Sequence, residues 1–481
     1  MWLLYVLNSI IAIIIVLLIV ILIRTFTFNP KPYKTFDAEN VSFDKESAVK
    51  SLQTLLKFKT ISNVNSVLED DNEFEGLIKS LYELYPNVFK LCTIQRFDGR
   101  ALLIKWQGKN SNNPAVMMSH YDVVPVNEEM WSVPPFEGVI KDGSLWGRGA
   151  LDTKSTLNAS LFACNKLISD GYVPENDVYI AISGGEEING VGALNIVNYF
   201  KENNIEPVIV LDEGGAVVEN VFPGVKSSCA LIGIAEKGMI NVEYKCKSNG
   251  GHASAPKPHT PVGLLSRACC KVENNPFKTH ITMPVKEMFD TLGRHSSFVY
   301  KMIFANLWCF KWVINLLCNK KGGDLNALMR TTVAFTQMEG SNAVNVIPPQ
   351  AKMVSNIRLN PKDTMDSAIT YLKKVIDDDS VEITKINGVN PSRISKIDVD
   401  GYKRVENAIL NTWKGVLVSP YLMVQCSDSR HYGLISDRVY RFSAMDLTSE
   451  ERASIHGNDE RIRLETIYKS VEFYIRLLKQ C

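Results

Sequence analysis

The chain has 481 residues, which exceeds one ordinary domain and predicts two or three. Hydrophobic residues make up 46% of the chain and charged residues 22%, a composition typical of globular proteins and not of disordered ones. The formal net charge is +1, so nothing in the overall charge favours binding to nucleic acid or to another polyanion.

The chain begins with an almost wholly apolar segment, residues 2–23, which only two adjacent polar residues interrupt. A helix of this length would measure about 33 Å, which is enough to cross a bilayer. A cleaved signal peptide usually has a shorter apolar core and a small-residue cleavage site, and Arg24-Thr25-Phe26 offers no such site. We therefore predict a single-pass transmembrane signal anchor over 2–23 and a polar tether over 24–45.

Two signals disagree about the side of the membrane on which the body lies. Arg24, Lys31 and Lys34 follow the apolar segment, and the positive-inside rule then favours a cytoplasmic body. Asn40-Val41-Ser42 is a glycosylation acceptor, which is used in the lumen. The ten cysteines form no CxxC pair, and they fit small core residues or, in a lumenal body, one or two disulfides.

After the tether, helical periodicity alternates with short buried apolar runs. The predicted helices are 46–56, 73–84, 155–170 and 193–200, and the predicted strands are 101–106, 115–118, 178–183 and 207–211. This alternation predicts an α/β domain with a largely parallel sheet. In such sheets ligands bind beyond the carboxyl ends of the strands.

The pattern changes near residue 238, where apolar and polar residues begin to alternate as in half-exposed antiparallel strands. We predict an inserted α+β domain over 238–361. Within it, the very apolar segment 298–318 approaches the length of a membrane span, but Lys301 and Lys311 would be costly at mid-membrane. The segment is predicted to form two amphipathic helices that serve as core, line an acyl-binding groove or rest on a membrane surface.

Chemically reactive residues follow the predicted strands of the α/β part. They are His120, Asp122, Asp152, Glu186, Glu187 and Asp212. Adjacent glutamates after an apolar strand and two glycines are awkward unless both are used, one as a metal ligand and one as a base. Imidazoles together with carboxylates, one of them shared, are what a two-metal hydrolytic site requires.

Six ordered motifs resemble the di-zinc aminoacylase/carboxypeptidase metallopeptidase family. They are His120-Tyr-Asp122-Val-Val-Pro, Gly147-Arg-Gly-Ala-Leu-Asp152, Glu186-Glu187, Asp212-Glu213-Gly, Gly250-Gly-His252-Ala-Ser and Ile455-His456-Gly-Asn-Asp-Glu460-Arg461. The resemblance covers nearly everything after the tether. It is strongest to the carboxypeptidase S and N-fatty-acyl-amino-acid hydrolase branch, which the apolar insert and Ser429-Arg430-His431-Tyr432 also suit.

The resemblance implies a fold and a domain order. A phosphorylase/hydrolase-like catalytic domain would occupy 46–237 and 362–481, and the insert 238–361 would be its lid or dimerisation domain. A homodimer is one assembly that this implies. Members of the family are lumenal or vacuolar, so we expect a lumenal body, in the vacuole, lysosome or secretory pathway, or an extracellular one.

The resemblance also implies two Zn²⁺ per subunit and a ligand set. His120 and Asp212 would bind one zinc ion, Glu187 and His456 would bind the other, and Asp152 would bridge them. His431 is a rival to His456, because it lies beside Arg430 in a plausible active-site loop. The family places this ligand just before the last helix, which favours His456.

The remaining implied roles belong to catalysis and substrate binding. Asp122 would fix the tautomer of His120, Glu186 would be the general base, and His252 would stabilise the oxyanion. The free carboxylate of the substrate would be bound by three residues, Asn345, Arg358 and Arg430. Gly185 and Thr153 depart from residues common in the family, but neither is a ligand position.

These roles predict a zinc metallohydrolase that cleaves the amide bond next to a free α-carboxylate, in small peptides or in N-acyl amino acids. The first alternative is an aminoacylase or fatty-acyl amidase with little peptidase activity. A remote alternative is a catalytically dead, membrane-tethered binding protein, which would be expected to have lost Glu186 or a ligand.

Overall fold

The computed structural model describes residues 1–31, 39–220 and 222–481; residues 32–38 of the predicted tether, with Lys34, lie outside it. The helices are α1 Trp2–Thr27, α2 Lys45–Leu56, α3 Asp71–Leu84, α4 Pro86–Leu91, α5 Lys154–Ser169, α6 Gly192–Glu202, α7 Pro261–Asn274, α8 Met283–Gly293, α9 Phe298–Ala305, α10 Leu307–Lys321, α11 Gly323–Met329, α12 Met365–Ile376, α13 Asp400–Thr412, α14 Ser449–Ser454 and α15 Leu464–Leu478.

The strands are β1 Thr93–Phe97, β2 Ala101–Trp106, β3 Asn110–His120, β4 Val139–Lys141, β5 Ser144–Trp146, β6 Asn176–Ser183, β7 Ile209–Val218, β8 Cys229–Glu236, β9 Gly238–Lys247, β10 Gly251–His252, β11 Thr332–Glu339, β12 Val346–Ile347, β13 Gln350–Leu359, β14 Glu382–Val389, β15 Leu417–Met423, β16 Val439–Leu447 and β17 Arg461–Arg463. The predicted helices and strands of the α/β part are confirmed, but β3 begins five residues before its predicted start and β7 ends seven residues after its predicted end.

The large sheet has eight strands in the order β1-β2-β6-β3-β7-β16-β8-β15. Its centre, β6-β3-β7-β16, is parallel, and β15 pairs in parallel with β8. The strands β1 and β2 at one edge are antiparallel. The predicted α/β class with a largely parallel sheet is confirmed.

Side chains of β3 alternate between two hydrophobic cores, one on each face of the large sheet. Ala115 and Met117 pack into the core that α5, α13 and α15 cover. Val116 and Met118 point to the opposite face, where α6 packs. Because a strand alternates its side chains with a period of two, a strand buried on both faces is apolar throughout.

A second, antiparallel sheet has the order β11-β13-β9-β14, and α7 and α12 pack on it. Residue Val242 of β9 and Ile357 of β13 lie in its core, which confirms the alternating pattern. This sheet extends past residue 361, where the prediction ended the inserted domain. The reason is that β14 (382–389) pairs with β9 and not with the large sheet.

The helices α8 to α11 lie within the predicted insert but pack against the large sheet. Val285 and Phe289 of α8 share a core with Leu417 and Leu422 of β15. The segment 298–318 forms two helices, as predicted, which meet at a bend of 114°. Helix α1 is long and apolar enough to cross a membrane.

Candidate metal centre

The predicted site residues meet at the edge of the large sheet where its parallel strands end. His120 is the last residue of β3, and Glu186 and Glu187 form a 3-10 turn three residues after β6 ends at Ser183. Asp152 follows β5 in the loop before α5, and His456 follows α14. Adjacent parallel strands end at the same sheet edge, so residues distant in sequence converge there.

Two groups of potential metal ligands share one carboxylate. The Nε2 atom of His120 lies 3.0 Å from Oδ1 of Asp152 and 3.3 Å from Oε1 of Glu213. The Nε2 atom of His456 lies 3.0 Å from Oδ2 of Asp152 and 3.1 Å from Oε1 of Glu187. Each oxygen of Asp152 therefore faces a different histidine, which is the arrangement expected of a bridging carboxylate.

The predicted ligand Asp212 lies outside both groups. Glu213, and not Asp212, completes the group with His120 and Asp152. Successive side chains of a strand point to opposite faces, so only one member of the Asp212–Glu213 pair can reach the site from β7. The Oδ2 atom of Asp212 instead accepts a hydrogen bond of 3.0 Å from the backbone N–H of Ser429.

The electrostatics of the cluster fit a pair of divalent cations. Burial disfavours the charged form of His120, but Glu213, Asp122 and Asp152 outweigh it and raise the pKa of His120 well above its ordinary value. Burial and nearby Asp152 raise the pKa of Glu213 to about 8. Carboxylates this close share protons with the imidazoles, and metal ions can replace those protons. Imidazole nitrogen and carboxylate oxygen are also ligands that zinc accepts.

His456 belongs to the second ligand group, with Asp152 and Glu187. Hydrogen bonds to Asp152 and Glu187 raise the pKa of His456 to about 10. The rival, His431, belongs to neither group. Burial lowers the pKa of His431 to about 4, and its buried Nε2 atom has no hydrogen-bond partner among the residues that the structure describes.

Asp122 connects His120 to the two glutamates. The Nδ1 atom of His120 lies 3.0 Å from the backbone oxygen of Asp122 and 3.4 Å from its carboxylate. The same carboxylate accepts hydrogen bonds of 3.1 Å from the backbone N–H groups of Glu186 and Glu187 and one of 2.8 Å from Ser62. Asp122 thus orients a ligand and fixes the turn that carries Glu186.

Burial raises the pKa of Glu186 well above its ordinary value, and the negative charges of Glu213, Asp428 and Glu187 add to the shift, against the opposing effect of His120. Asp428 is itself buried and accepts a hydrogen bond of 2.6 Å from Ser183. Glu186 is therefore a carboxylate that binds a proton readily, as a general base must.

Glu460 is fully buried and holds the loop that carries Asp152. Its Oε1 atom accepts hydrogen bonds from the backbone N–H groups of Leu151 (2.7 Å) and Asp152 (3.1 Å). Its Oε2 atom accepts from Gly149 and from Arg148, at 3.1 and 2.7 Å. Sequence reasoning included Glu460 in a motif but gave it no role.

Arg148 ties the same loop to the segment of His456. One of its Nη atoms pairs with Glu460, and the other donates to the backbone oxygen of Gly457 at 2.7 Å. Gly149 has a φ of +88°, and a Cβ there would lie 2.9 Å from Val123. The sequence contained one sign of this contact, since Arg148 stands between two glycines of a turn. A charged side chain that is buried in such a turn requires a buried partner of opposite charge.

The predicted oxyanion group, His252, lies in the inserted part of the chain and joins neither ligand group. His252 is exposed, and its strand β10 pairs with β12. Next to this pairing, the backbone N–H of Ala253 donates to the backbone oxygen of Asn345 at 2.9 Å. The Nδ1 atom of His252 accepts a 3.1 Å hydrogen bond from the backbone N–H of Ser254. The neutral ring therefore carries its proton on Nε2.

The two predicted substrate-binding arginines, one on β13 and one in the 3-10 turn after β15, approach the same cysteine. The Nη1 atom of Arg358, on β13, lies 3.6 Å from Sγ of Cys426. Burial raises the pKa of the Cys426 thiol, and both Arg358 and Arg430 oppose that shift. Arg430 also donates to Oδ1 of Asn189 at 2.8 Å, beside the turn of Glu186.

The segment 427–429 that precedes Arg430 is held by buried polar contacts. Glu236 and Arg441, each 1% exposed, form an ion pair of 3.0 Å. Glu236 also accepts a 2.6 Å hydrogen bond from the backbone N–H of Ser427. Because β8 ends at Glu236, this contact fixes the segment to the large sheet.

The known proteins that are similar to this chain include a carboxypeptidase S-like protein and an N-fatty-acyl-amino acid synthase/hydrolase. The chain is 34% identical over 451 residues to a probable carboxypeptidase S-like 2 of Dictyostelium discoideum, covering 91% of this chain and 86% of that protein. It is 32% identical over 470 residues to the N-fatty-acyl-amino acid synthase/hydrolase PM20D1 of Xenopus tropicalis, covering 95% and 91%.

The fold of this chain is similar to the folds of several solved structures. The M20 family metallo-carboxypeptidase Sso-CP2 from Sulfolobus solfataricus superposes with a TM-score of 0.66 at 18% identity, covering 90% of this chain and 98% of that one. Human carnosine dipeptidase 1 gives a TM-score of 0.64 at 14% identity, covering 91% and 96%. The model of peptidase family M20/M25/M40 matches residues 116–480. The chain belongs to this family of metal-dependent hydrolases.

Proposed function

We propose that this protein is a di-zinc hydrolase that cleaves the amide bond next to a free α-carboxylate, in small peptides or N-acyl amino acids. The observation that carries the proposal is the pair of ligand groups that share Asp152, with Glu186 beside them. His120 and Glu213 would hold one zinc ion, and Glu187 and His456 the other. Bound zinc polarises the substrate carbonyl and acidifies the attacking water.

Glu186 is the proposed general base. Its carboxylate takes a proton from the attacking water and delivers that proton to the leaving nitrogen. Asp122 supports this role by fixing the backbone of Glu186 and, on the other side, the ring of His120. Glu460 does the same for Asp152 through two backbone N–H groups.

His252 is the proposed donor to the oxygen of the scissile carbonyl as negative charge develops there. The proton on its Nε2 atom is available because its Nδ1 atom accepts from Ser254. His252 belongs to the inserted part of the chain, which we propose to be a lid or dimerisation domain. In a homodimer this histidine would act on the active site of the partner subunit.

Arg358 and Arg430 are the proposed ligands of the substrate carboxylate, with Asn345. A guanidinium group suits a carboxylate because two parallel N–H groups match its two oxygens. The approach of both arginines to Cys426 supports a shared binding pocket between the two sheets.

A second candidate function is hydrolysis of N-acyl amino acids in preference to peptides. The similarity to a fatty-acyl-amino acid hydrolase, over 95% of this chain, favours long acyl groups on the carbonyl side of the scissile bond. In that case the enzyme is an amidase with little peptidase activity. A catalytically dead binding protein is disfavoured, because both ligand groups and Glu186 are present.

We further propose that α1 is a membrane anchor with the body in the lumen or outside the cell. Residues 2–20 of this helix are all exposed, as a membrane-spanning helix requires. The exposed sequon residue Asn40 supports the lumenal side. A mobility shift that is sensitive to glycosidase and lost in Asn40→Gln tests the orientation.

The test of the activity uses purified full-length protein with a panel of dipeptides and N-acyl amino acids. Zinc-loaded protein should hydrolyse members of at least one class, and Glu186→Gln should remove that hydrolysis while leaving the zinc content at two ions per chain. Unchanged hydrolysis in Glu186→Gln would rule out the proposed base. Wild-type protein without bound metal would revive the binding-protein alternative.

A further inference from the structure

We propose that α9 and α10 form a membrane-contact surface that lies in the headgroup region of the bilayer that α1 enters. This inference rests on the proposed anchor and goes beyond it, because it fixes how the catalytic body sits on the membrane. Its partner is a bilayer with anionic lipid at its surface.

The C-terminal end of α1 packs against the bend between α9 and α10. Ile21 and Thr25 are 5% and 0% exposed, in contrast to residues 2–20, all of which are exposed. The Nδ2 atom of Asn306, at the bend, donates to the backbone oxygen of Ile21 and to Oγ1 of Thr25, both at 3.2 Å. Arg24 donates to the backbone oxygen of Ala305 at 3.1 Å.

The length of the exposed part of α1 then places the membrane surface. Residues 2–20 measure about 28 Å as a helix, close to the roughly 30 Å of a bilayer's hydrocarbon core. The boundary of that core therefore falls near Ile21. Since Ile21 and Thr25 contact Asn306, the bend between α9 and α10 lies at the same depth, within the headgroup region.

One face of α10 exposes large apolar side chains four residues apart. Trp308, Trp312 and Leu316 are 56%, 66% and 46% exposed. Residues at this spacing lie on one side of a helix. Tryptophan is enriched where hydrocarbon meets water, because its ring is apolar while its N–H seeks a partner.

The exposed face continues through α9 to the anchor. Phe298 and Val299 are 50% and 61% exposed. The ring centroids of Phe298 and Phe26, the latter on α1, are 5.7 Å apart. The opposite side of the helix pair is core, since Phe304 and Ile314 pack with Phe289. The pair is therefore fixed to the body on one side and apolar on the other.

Charge complementarity favours an anionic bilayer. Residues 298–321 contain four lysines and no acidic residue: Lys301, Lys311, Lys320 and Lys321. Basic residues beside an apolar face are typical of helices that lie in the membrane interface and attract anionic lipid.

The geometry excludes a second membrane span. The two helices have 8 and 15 residues and meet at 114°. The longer one measures about 22 Å, less than the hydrocarbon core, and Lys311 is its fifth residue. An in-plane position leaves the lysines in the headgroups, where a charge has little cost.

The test measures the depth of Trp308 and Trp312 in vesicles. Full-length protein carrying Trp2→Phe, which removes the tryptophan at the far end of α1, is reconstituted into phosphatidylcholine–phosphatidylserine vesicles. Lipids brominated at the upper acyl carbons should quench its tryptophan fluorescence. Adding Trp308→Phe and Trp312→Phe should remove most of that quenching, whereas Trp146→Phe, a matched change in the catalytic body, should leave it unchanged.

The outcomes separate this inference from the anchor proposal. Protein that floats with vesicles after alkaline extraction, but whose quenching does not depend on Trp308 and Trp312, retains the anchor and overturns the membrane-contact surface. Protein extracted by alkali overturns the anchor. A dimer that Trp312→Asp dissociates would assign the face to a second copy and also overturn the inference. Trp312 is exposed, so Trp312→Asp should keep its fold, as hydrolysis of a soluble substrate would verify.

Discussion

The two halves of the proposed active site differ in how firmly their side chains are held. At the edge of the large sheet, Asp122 and Glu460 are fully buried, and each accepts hydrogen bonds from at least two backbone N–H groups. On the inserted part, His252 and Asn345 are exposed and are positioned by a two-stranded ladder of two residues each. One half is preorganised, and the other has freedom to adjust.

The difference follows from what each half must do. Carboxylates whose oxygens lie within 4.8 Å of one another repel unless cations and fixed N–H groups compensate, so the metal-binding half must be rigid before substrate arrives. Groups that contact the substrate can close on it and open again for product release. Mutations in the first half should therefore remove metal or rate, and those of the proposed carboxylate ligands in the second should change substrate affinity.

The largest effect is expected for Asp152→Asn. Each oxygen of Asp152 faces a different histidine, so the amide would remove a ligand from one group and a bridging charge from both. Hydrolysis should fall to the assay background, and metal analysis after dialysis should give less than one ion per chain. Activity retained with two bound metals would show that Asp152 does not bridge.

A paired exchange on β7 tests which of its two adjacent acidic residues, Asp212 or Glu213, is the ligand. Glu213→Gln should lower the metal content from two ions per chain to about one, because its carboxylate belongs to the group of His120. Asp212→Asn is the matched control. Its remaining oxygen can still accept from Ser429 N–H, so the metal content should stay at two. The opposite result would restore Asp212 as the ligand.

A smaller effect is expected for Glu460→Gln, which leaves every proposed ligand in place. Both oxygens of Glu460 now accept hydrogen bonds from backbone N–H groups. The introduced NH₂ group is a donor that would face one of these N–H groups, and the loop of Asp152 would shift. Replacing such a supporting group typically costs about 10- to 100-fold in activity or metal affinity. Glu465→Gln, an exposed change on α15, should have no effect on either. Equal behaviour of the two variants would remove the positioning role.

The metal-binding half was predictable from sequence because each residue follows an element with a clear pattern. An apolar run that ends at His120 and another that leads to Glu186-Glu187 identify strand ends, and parallel strands bring such ends together. The pattern could not decide between Asp212 and Glu213. Which of two adjacent strand residues faces a site depends on the register of β7 with its neighbours, and that is a tertiary property.

The inserted part was less predictable for a similar reason. Its strands were recognisable by alternation, but the predicted bounds 238–361 separate β14 from its partner β9 and include α8, which packs against the large sheet. The apolar pattern of α8 says that one side is buried, and nothing in it says which sheet covers that side. The roles of His252, Asn345 and Arg358 came from resemblance alone, since exposed polar residues carry no periodic signal.

The smallest effect is expected in this adjustable half. Arg358→Ala should raise KM with kcat nearly unchanged, because an interaction with the substrate carboxylate stabilises the bound substrate and the transition state alike. A charge-assisted hydrogen bond contributes about 2 kcal/mol, which corresponds to about a 30-fold rise in KM. Arg358→Lys should recover part of this loss, since the charge remains but the planar pair of donors does not.

Arg267→Ala is the control for that measurement, because Arg267 lies on α7 of the same inserted part and hydrogen-bonds His259 instead. It should leave KM unchanged. A substrate analogue with an amide in place of the carboxylate should bind wild type as weakly as the acid binds Arg358→Ala. If Arg358→Ala instead lost kcat at constant KM, Arg358 would act on the transition state, and the inserted part would be as preorganised as the metal centre.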